Sequence, residues 1–423
     1  MDQTNGQFAH STPRPALLLR ALIAVLLLGT ALGIGFAGGM ATMWLVNRTS
    51  QTVVVGQAPA GAPVDDDEAR QQGLSRLDRI IDILEQEFYE ADKLDITQML
   101  QGAARGLVAS VDDPYTVYVE PVQASILAED MSGAFEGIGA TVNSVDQGLV
   151  IVALQAGGPA VRANLQVGDL ILQADDASLA GLSLLDAVAL VRGPKGTVVR
   201  LLIQREGVQD PFVVPVTRDR VETPVVETRM LEGDIAYLYL AEFNALAHDQ
   251  LVSGLKELIQ QKPAGLILDL RGNPGGLLDM AVAVASEFLP VDTLVVTQRW
   301  SNGTEQEYRV RIRGSATDIP MVVLTNGGSA SASEIVAGAL RDHERATLIG
   351  EPTFGKGAVQ NVHKLDDGAS LRVTVSKYYM PDGESPDLDP IEPDITIALS
   401  AEDVSSGADP QLDRAVEYLQ SGK

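Results

Sequence analysis

Met321-Val322-Val323-Leu324-Thr325-Asn326-Gly327-Gly328-Ser329-Ala330-Ser331-Ala332-Ser333-Glu334 is the stretch on which the fold turns. Its first five residues are an apolar run ending in a β-branched threonine, the pattern of a strand buried on both faces. Asn326-Gly327-Gly328 breaks that strand. Small residues then lead into 335–341, where apolar side chains at helical spacing predict a helix. The same alternation extends to both sides. Strands are predicted at 235–240, 265–270, 293–299, 308–313 and 346–349, and helices at 248–260 and 277–288. Residues 219–400 therefore read as an α/β domain with helices on a sheet, followed by a tail, 401–423, with a helix at 410–420.

Further out the texture changes. Between 128 and 218, short β runs at 149–154, 169–173 and 198–204 alternate with tight turns, and a helix is predicted at 183–191. This is a β-rich module of ordinary domain size. Residues 68–127 are helical. Leu74, Leu77, Ile80, Ile81, Leu84 and Phe88 form one apolar face, and a second helix at 96–110 stops at Asp112-Asp113-Pro114-Tyr115. We read this unit as a packing or dimerisation device, which makes a homodimer plausible.

Residues 47–67, rich in Gln, Ala, Gly and Pro, form a linker. Residues 21–46 carry no charge. As a helix they would run about 39 Å at about 1.5 Å per residue, more than the ~30 Å hydrocarbon core. Arg14 and Arg20 precede the span, so residues 1–20 are expected in the cytoplasm and the body outside. We read 21–46 as an uncleaved signal anchor in the lipid bilayer of the inner membrane, in preference to a cleaved signal peptide.

Composition narrows the chemistry. A chain of 423 residues with a formal charge of −26 has no basic footprint for nucleic acid. There is no cysteine, so disulfides, zinc thiolate sites and a cysteine nucleophile are excluded. No metal or cofactor is expected.

Three strand-end loops carry unusual sequence: Asp269-Leu270-Arg271-Gly272-Asn273-Pro274-Gly275-Gly276, the quoted 326–334 segment, and Gly350-Glu351-Pro352-Thr353-Phe354-Gly355-Lys356-Gly357-Ala358-Val359-Gln360. Loops at strand ends are where α/β folds place their sites. Ser331 precedes a helix, where serine is an ordinary cap. Yet the small residues around it admit a substrate backbone, and a helix N-terminus offers N–H groups to an oxyanion. Gly275 and Gly276 can present further backbone donors. A serine nucleophile needs a base. His248, His343 and His363 lack a signature, whereas Lys356 sits between two glycines without the pattern of a phosphate-binding loop.

These residues resemble those of the carboxyl-terminal processing peptidases, serine proteases with a PDZ domain and a Ser–Lys dyad. The strand-end motif Asp-Leu-Arg-x-Asn-x-Gly-Gly is at 269–276, the Ser-Ala-Ser-Glu motif at 331–334 and the lysine motif at 350–360. Asp112-Asp113-Pro114-Tyr115 and Phe135-Glu136-Gly137-Ile138-Gly139-Ala140 resemble the family's helical turn and PDZ entry loop. The resemblance covers roughly 68–400 and implies a crotonase/ClpP-like α/β core, an inserted PDZ domain at 128–218 and an N-terminal helical unit.

It further implies Ser331 as nucleophile, Lys356 as general base, Gln360 as the group orienting the lysine and Asp342 as a supporting acid. Oxyanion donors would come from Ala332 and the Gly275-Gly276 turn, and Gly137, Ile138, Gly139 and Ala140 would hold a peptide carboxylate. Asn164, where a glycine is common, and Asp175-Asp176-Ala177, in place of Asp-Gly, depart from the PDZ pattern. A free lysine titrates near 10.4, so such a base must lose roughly three units. Lys356 is therefore expected to be desolvated and within reach of Ser331. The implied partners are proteins or peptides with free C-termini. The rival reading is a PDZ scaffold on a dead enzyme. A trypsin-like protease would need a serine where Gly272-Asn273-Pro274-Gly275-Gly276 has none, and a crotonase-like acyl transferase would not explain the PDZ module.

Overall fold

The computed structural model describes residues 66–422 apart from Leu388. The expected membrane span, 21–46, lies outside the described residues, and among these no helix is long and apolar enough to cross a membrane. The described chain divides into two compact units. One runs to Pro121 and includes Gln360–Thr374; the other comprises Val122–Val359 and Val375–Lys423.

In the first unit, helix Asp66–Glu87 precedes helix Ile96–Ala109, which Asp95 caps by accepting a bond from the Gln98 N–H (3.1 Å). The apolar stripe read from the sequence is present and largely exposed among the described residues, with Leu74 58% exposed. Strand Val117–Val119 pairs antiparallel with 370–372. The intervening turn is fixed by Asp113, whose carboxylate accepts bonds from the Thr116 hydroxyl (2.5 Å) and the Tyr115 N–H (3.3 Å). Burial works against that carboxylate, but bonds from Thr116, Thr374 and Tyr115 outweigh it and hold its pKa below the ordinary 3.8.

The second unit contains the β-rich module. Strands Ala140–Val145, Gly148–Leu154, Leu170–Ala174, Val198–Gln204 and Phe212–Thr217 form a sheet in that order, with Ala140–Val145 at its edge. Its core gathers Leu149, Ile151, Ile171, Leu201, Ile203 and Val216, alternate residues of successive strands, with Ala187 and Val191 from helix Leu184–Val191. Asn164, where a glycine is common, keeps a left-handed backbone (φ 59°), and Asp175 (φ 53°) is left-handed at the start of the Asp175-Asp176-Ala177 turn. Asn and Asp tolerate that region better than other side chains, so the turns survive the substitution.

The α/β part is built on the sheet Val226–Leu231, Ile235–Leu240, Gly265–Asp269, Met321–Thr325, Thr347–Gly350 and Ile395–Thr396. The first strand is antiparallel to the second and all later pairings are parallel. Period-two alternation splits these strands between two cores. Leu238, Leu268 and Val323 face Leu251, Leu255, Val336 and Leu340 of helices Ala247–Gln260 and Ala332–Asp342. Tyr237, Ile267, Val322 and Leu324 face helix Pro410–Ser421 through Ala415, Leu412 and Leu419.

Two expectations need correcting. The strand read at 308–313 lies at Glu305–Arg309, in a hairpin with Leu294–Trp300. A tight turn (Gly303 N–H to Trp300 carbonyl, 2.9 Å) sets the register, and the strand is mostly exposed, so no apolar alternation marked it. The helix expected from 335 begins at Ala332, because Ala332, Ser333 and Glu334 are buried in its first turn and show no amphipathic pattern.

The C-terminal helix is tied to a strand end. Arg271 donates to both Asp409 carboxylate oxygens (2.8 and 2.9 Å) and to Asp269, which also accepts the Tyr237 hydroxyl (2.8 Å). Burial raises the Asp409 pKa, but Arg271 and the Leu412 and Gln411 N–H groups more than compensate and place it below the ordinary 3.8. A depressed carboxylate stabilises above its unfolded pKa and loses that contribution as pH falls through the folded value. Acidification below about pH 4 is thus expected to release the 410–421 helix before the core melts. Hydrogen exchange would show its amides losing protection first; uniform loss would contradict this.

Candidate active site

Three loops converge where strands Gly265–Asp269, Met321–Thr325 and Thr347–Gly350 end. Asn273, fully buried, knits the first loop to the second. Its side-chain amide donates to the Leu240 carbonyl (2.8 Å) and its Oδ1 accepts the Gly275 N–H (2.9 Å). Its own carbonyl accepts the Ala330 N–H (3.0 Å) and the Ser333 hydroxyl (2.9 Å). Gly275 (φ 100°) lies flat against the nucleophile segment. A Cβ there would meet the Ala330 carbonyl oxygen at 2.6 Å, Ser331 Cβ at 2.8 Å and the Ala332 nitrogen at 2.9 Å, so only glycine fits. The Gly275 N–H serves Asn273, which leaves the Ala332 N–H at the helix start and the Gly276 part of the turn as neighbours for an anion.

Ser331 is partly exposed and strained, with φ 55° and ψ −111°. A non-glycine residue there costs about 1–3 kcal/mol and persists only where its surroundings over-determine it. They do so through Glu334, whose side chain is completely buried. One carboxylate oxygen accepts the N–H groups of Ser331 (2.8 Å) and Lys356 (2.9 Å). The other accepts the Thr353 hydroxyl (2.6 Å) and the Gly355 N–H (2.8 Å). Thr353 Oγ1 in turn accepts the Ile391 N–H (2.9 Å). The carboxylate thus joins the start of the serine's helix to the lysine loop. Opposite it, the buried Tyr378 hydroxyl lies 3.0 Å from the Ser331 carbonyl and also donates to the Lys356 carbonyl.

Lys356 is only partly buried. Gln360 belongs to the first unit, where its amide donates to the Tyr115 carbonyl. Asp342 closes the far end of the serine's helix, accepting from Arg341 (3.0 Å) and the Asp382 N–H (3.3 Å). Burial and the Asp382 charge raise its pKa against the pull of Arg341. Two histidines serve other elements: His248 Nε2 meets Glu287 Oε1 (3.1 Å) and His343 Nε2 the Leu294 carbonyl (2.7 Å).

In the β-rich module, Gly137 ends a strand paired with Asp219, Ile138 is buried, Gly139 is left-handed (φ 71°) and Ala140 opens the edge strand. The Ile138 and Gly139 carbonyls accept bonds from Ala160 (2.7 Å) and Gln155 (3.0 Å), fixing the loop beside that edge.

Comparison with known proteins gives the family of the chain. The Peptidase family S41 profile matches residues 234–397, a PDZ domain profile 150–205, and the N-terminal domain of the activating protease CtpB 32–121. The carboxyl-terminal-processing protease of a Synechocystis species is 38% identical over 76% of this chain and 77% of its own length. The chain belongs to the carboxy-terminal processing protease family. Carboxy-terminal processing protease CtpA of Bacillus subtilis is 35% identical over 73% of this chain, which spans 66% of that relative's length. An S41 protease structure from Bacteroides fragilis, 20% identical, superposes with a TM-score of 0.50 over 87% of this chain and 100% of its own, supporting the fold. This processing protease is accordingly a serine-type peptidase carrying a PDZ domain.

Sequence reading assigned no role to Glu334 or Tyr378. Glu334 follows Ser331 at the capping-box spacing, a signal present in the sequence. Nothing local marks Tyr378, which reaches the site from strand Ser370–Tyr379.

Proposed function

We propose that this chain is a membrane-anchored endopeptidase that cuts extracytoplasmic proteins, using Ser331 and Lys356 as a catalytic dyad and the PDZ domain to bind substrate C-termini. The observation that carries the reading is the double backbone link between a strained, accessible Ser331 and Lys356, through Glu334 and Tyr378. Lysine as neutral base removes the Ser331 hydroxyl proton as the oxygen attacks the scissile carbonyl. The developing oxyanion faces the Ala332 N–H at the positive end of its helix, beside the glycine turn. Lysine then returns the proton to the leaving amine, and a water deprotonated by the same lysine releases the acyl group.

For recognition, the 137–139 loop would take the substrate carboxylate and the edge strand Ala140–Val145 would pair with the substrate backbone. Asp342 would support the dyad indirectly, from the far end of the helix. The charge-free run 21–46, with Arg14 and Arg20 before it, supports a single-pass anchor with the body outside the inner membrane. The uncovered stripe of helix Asp66–Glu87 supports a homodimer.

The test uses the full chain from the membrane fraction. A fluorogenic peptide with a free apolar C-terminus is expected to be cut with a KM about tenfold or more below that of its amidated form, since amidation removes a charge-assisted contact. Equal KM values would overturn C-terminal recognition. Failure to cut either peptide would favour the scaffold reading, and full recovery in the soluble fraction would remove the anchor.

A further inference from the structure

Tyr378 takes no part in the proton transfers above, yet its hydroxyl is buried against the backbone of both reacting residues. The side chain is 1% exposed. Its hydroxyl lies 3.0 Å from the Ser331 carbonyl oxygen and is also bonded to that of Lys356. Its own N–H donates to the Gly357 carbonyl (2.9 Å), fixing the tyrosine to the lysine loop by main chain as well. The Ser331 carbonyl simultaneously accepts the first bond of its helix, from the Ile335 N–H (3.0 Å).

Glu334 binds the N–H groups of the same two residues. The peptide units of Ser331 and Lys356 are therefore cross-linked twice, by a carboxylate between their N–H groups and by a phenol between their carbonyls. A phenol has one proton, so it can serve two carbonyls only by sharing it. Sharing works only while both oxygens stay within hydrogen-bond range, which turns the hydroxyl into a limit on their separation.

We propose that Tyr378 is a positioning residue whose hydroxyl fixes the spacing of the Ser331 and Lys356 backbones for catalysis. It acts through those two carbonyls and touches no substrate. The proposal rests on the reading of Ser331 and Lys356 as the reacting pair.

Tyr378→Phe keeps the ring and its packing and deletes only the hydroxyl. In the full chain, with the free-C-terminus fluorogenic peptide, kcat is expected to fall about 10- to 100-fold while KM moves less than about threefold. Labelling of Ser331 by a fluorophosphonate should slow in parallel. Should the variant melt early, kcat is read at a temperature where it is fully folded. Ser331→Ala and Lys356→Ala run alongside. If those two keep activity, the paired-residue reading fails and this proposal with it. If they are inactive while Tyr378→Phe keeps the parent kcat and labelling rate, or changes KM alone, the positioning role by itself is overturned.

Discussion

Ser331→Ala is expected to remove peptidase activity by about four to six orders of magnitude, with little change in stability. Both residues carry a Cβ, so the strain at φ 55° is the same before and after. The bonds that hold the segment run chiefly through the Ser331 N–H and carbonyl, to Glu334 and to Tyr378 and Ile335, and the side-chain oxygen adds the capping-box bond from the Glu334 N–H. Folding free energy should therefore fall by only about 1 kcal/mol, the cost of that one cap. Cleavage of the fluorogenic peptide and a denaturant titration on the same preparation check both halves. Retained cleavage would place the nucleophile elsewhere. Lost cleavage with an early melting transition would make the result uninformative about chemistry and point to a structural role for the hydroxyl.

Glu334→Gln should be nearly as damaging by a different route. Both oxygens of the buried carboxylate accept two bonds each, all four from N–H or O–H donors. An amide replaces one of those oxygens with a group that can only donate. Turned toward Ser331 and Lys356, the amide faces two N–H donors; turned toward Thr353 and Gly355, it faces one, because the Thr353 hydroxyl can accept from it. Leaving buried polar groups unpaired costs about 1–3 kcal/mol each, so a loss of about 1–3 kcal/mol is expected. Loosening the link between the nucleophile helix and the lysine loop should also depress kcat at temperatures where the variant is folded. Denaturation together with kcat measured well below the transition would test this. Wild-type stability would show that the carboxylate is dispensable to the frame.

The fold was legible wherever burial wrote a pattern. Strands Val198–Gln204, Ile235–Leu240 and Met321–Thr325 fall at the residues the sequence predicts, because each has at least one face closed off from water. Exposed pairings were not legible. Glu305–Arg309 is placed by its turn and by antiparallel bonding to its neighbour, neither of which leaves an apolar rhythm. The site divides in the same way. The Gly275-Gly276 turn announces itself because close backbone approach demands glycine, whereas Ser331 and Lys356 stand out only through the motifs they share with the family. Tyr378 does not, since its role depends on where a distant strand delivers one hydroxyl. Asn164 teaches the reverse lesson: a departure from the common glycine left a left-handed backbone in place.

The Arg271–Asp409 link has a consequence for the order in which this enzyme comes into being. Every residue of the three catalytic loops precedes residue 361, while the helix that covers Tyr237, Ile267, Val322 and Leu324 begins at Pro410. A ribosome thus finishes these loops well before it supplies the segment that closes the opposite face of the sheet and gives Arg271 its second carboxylate. During that interval Tyr237, Ile267, Val322 and Leu324 lack their cover, so the sheet that carries these loops is expected to close on this face only once the 410–421 segment is made.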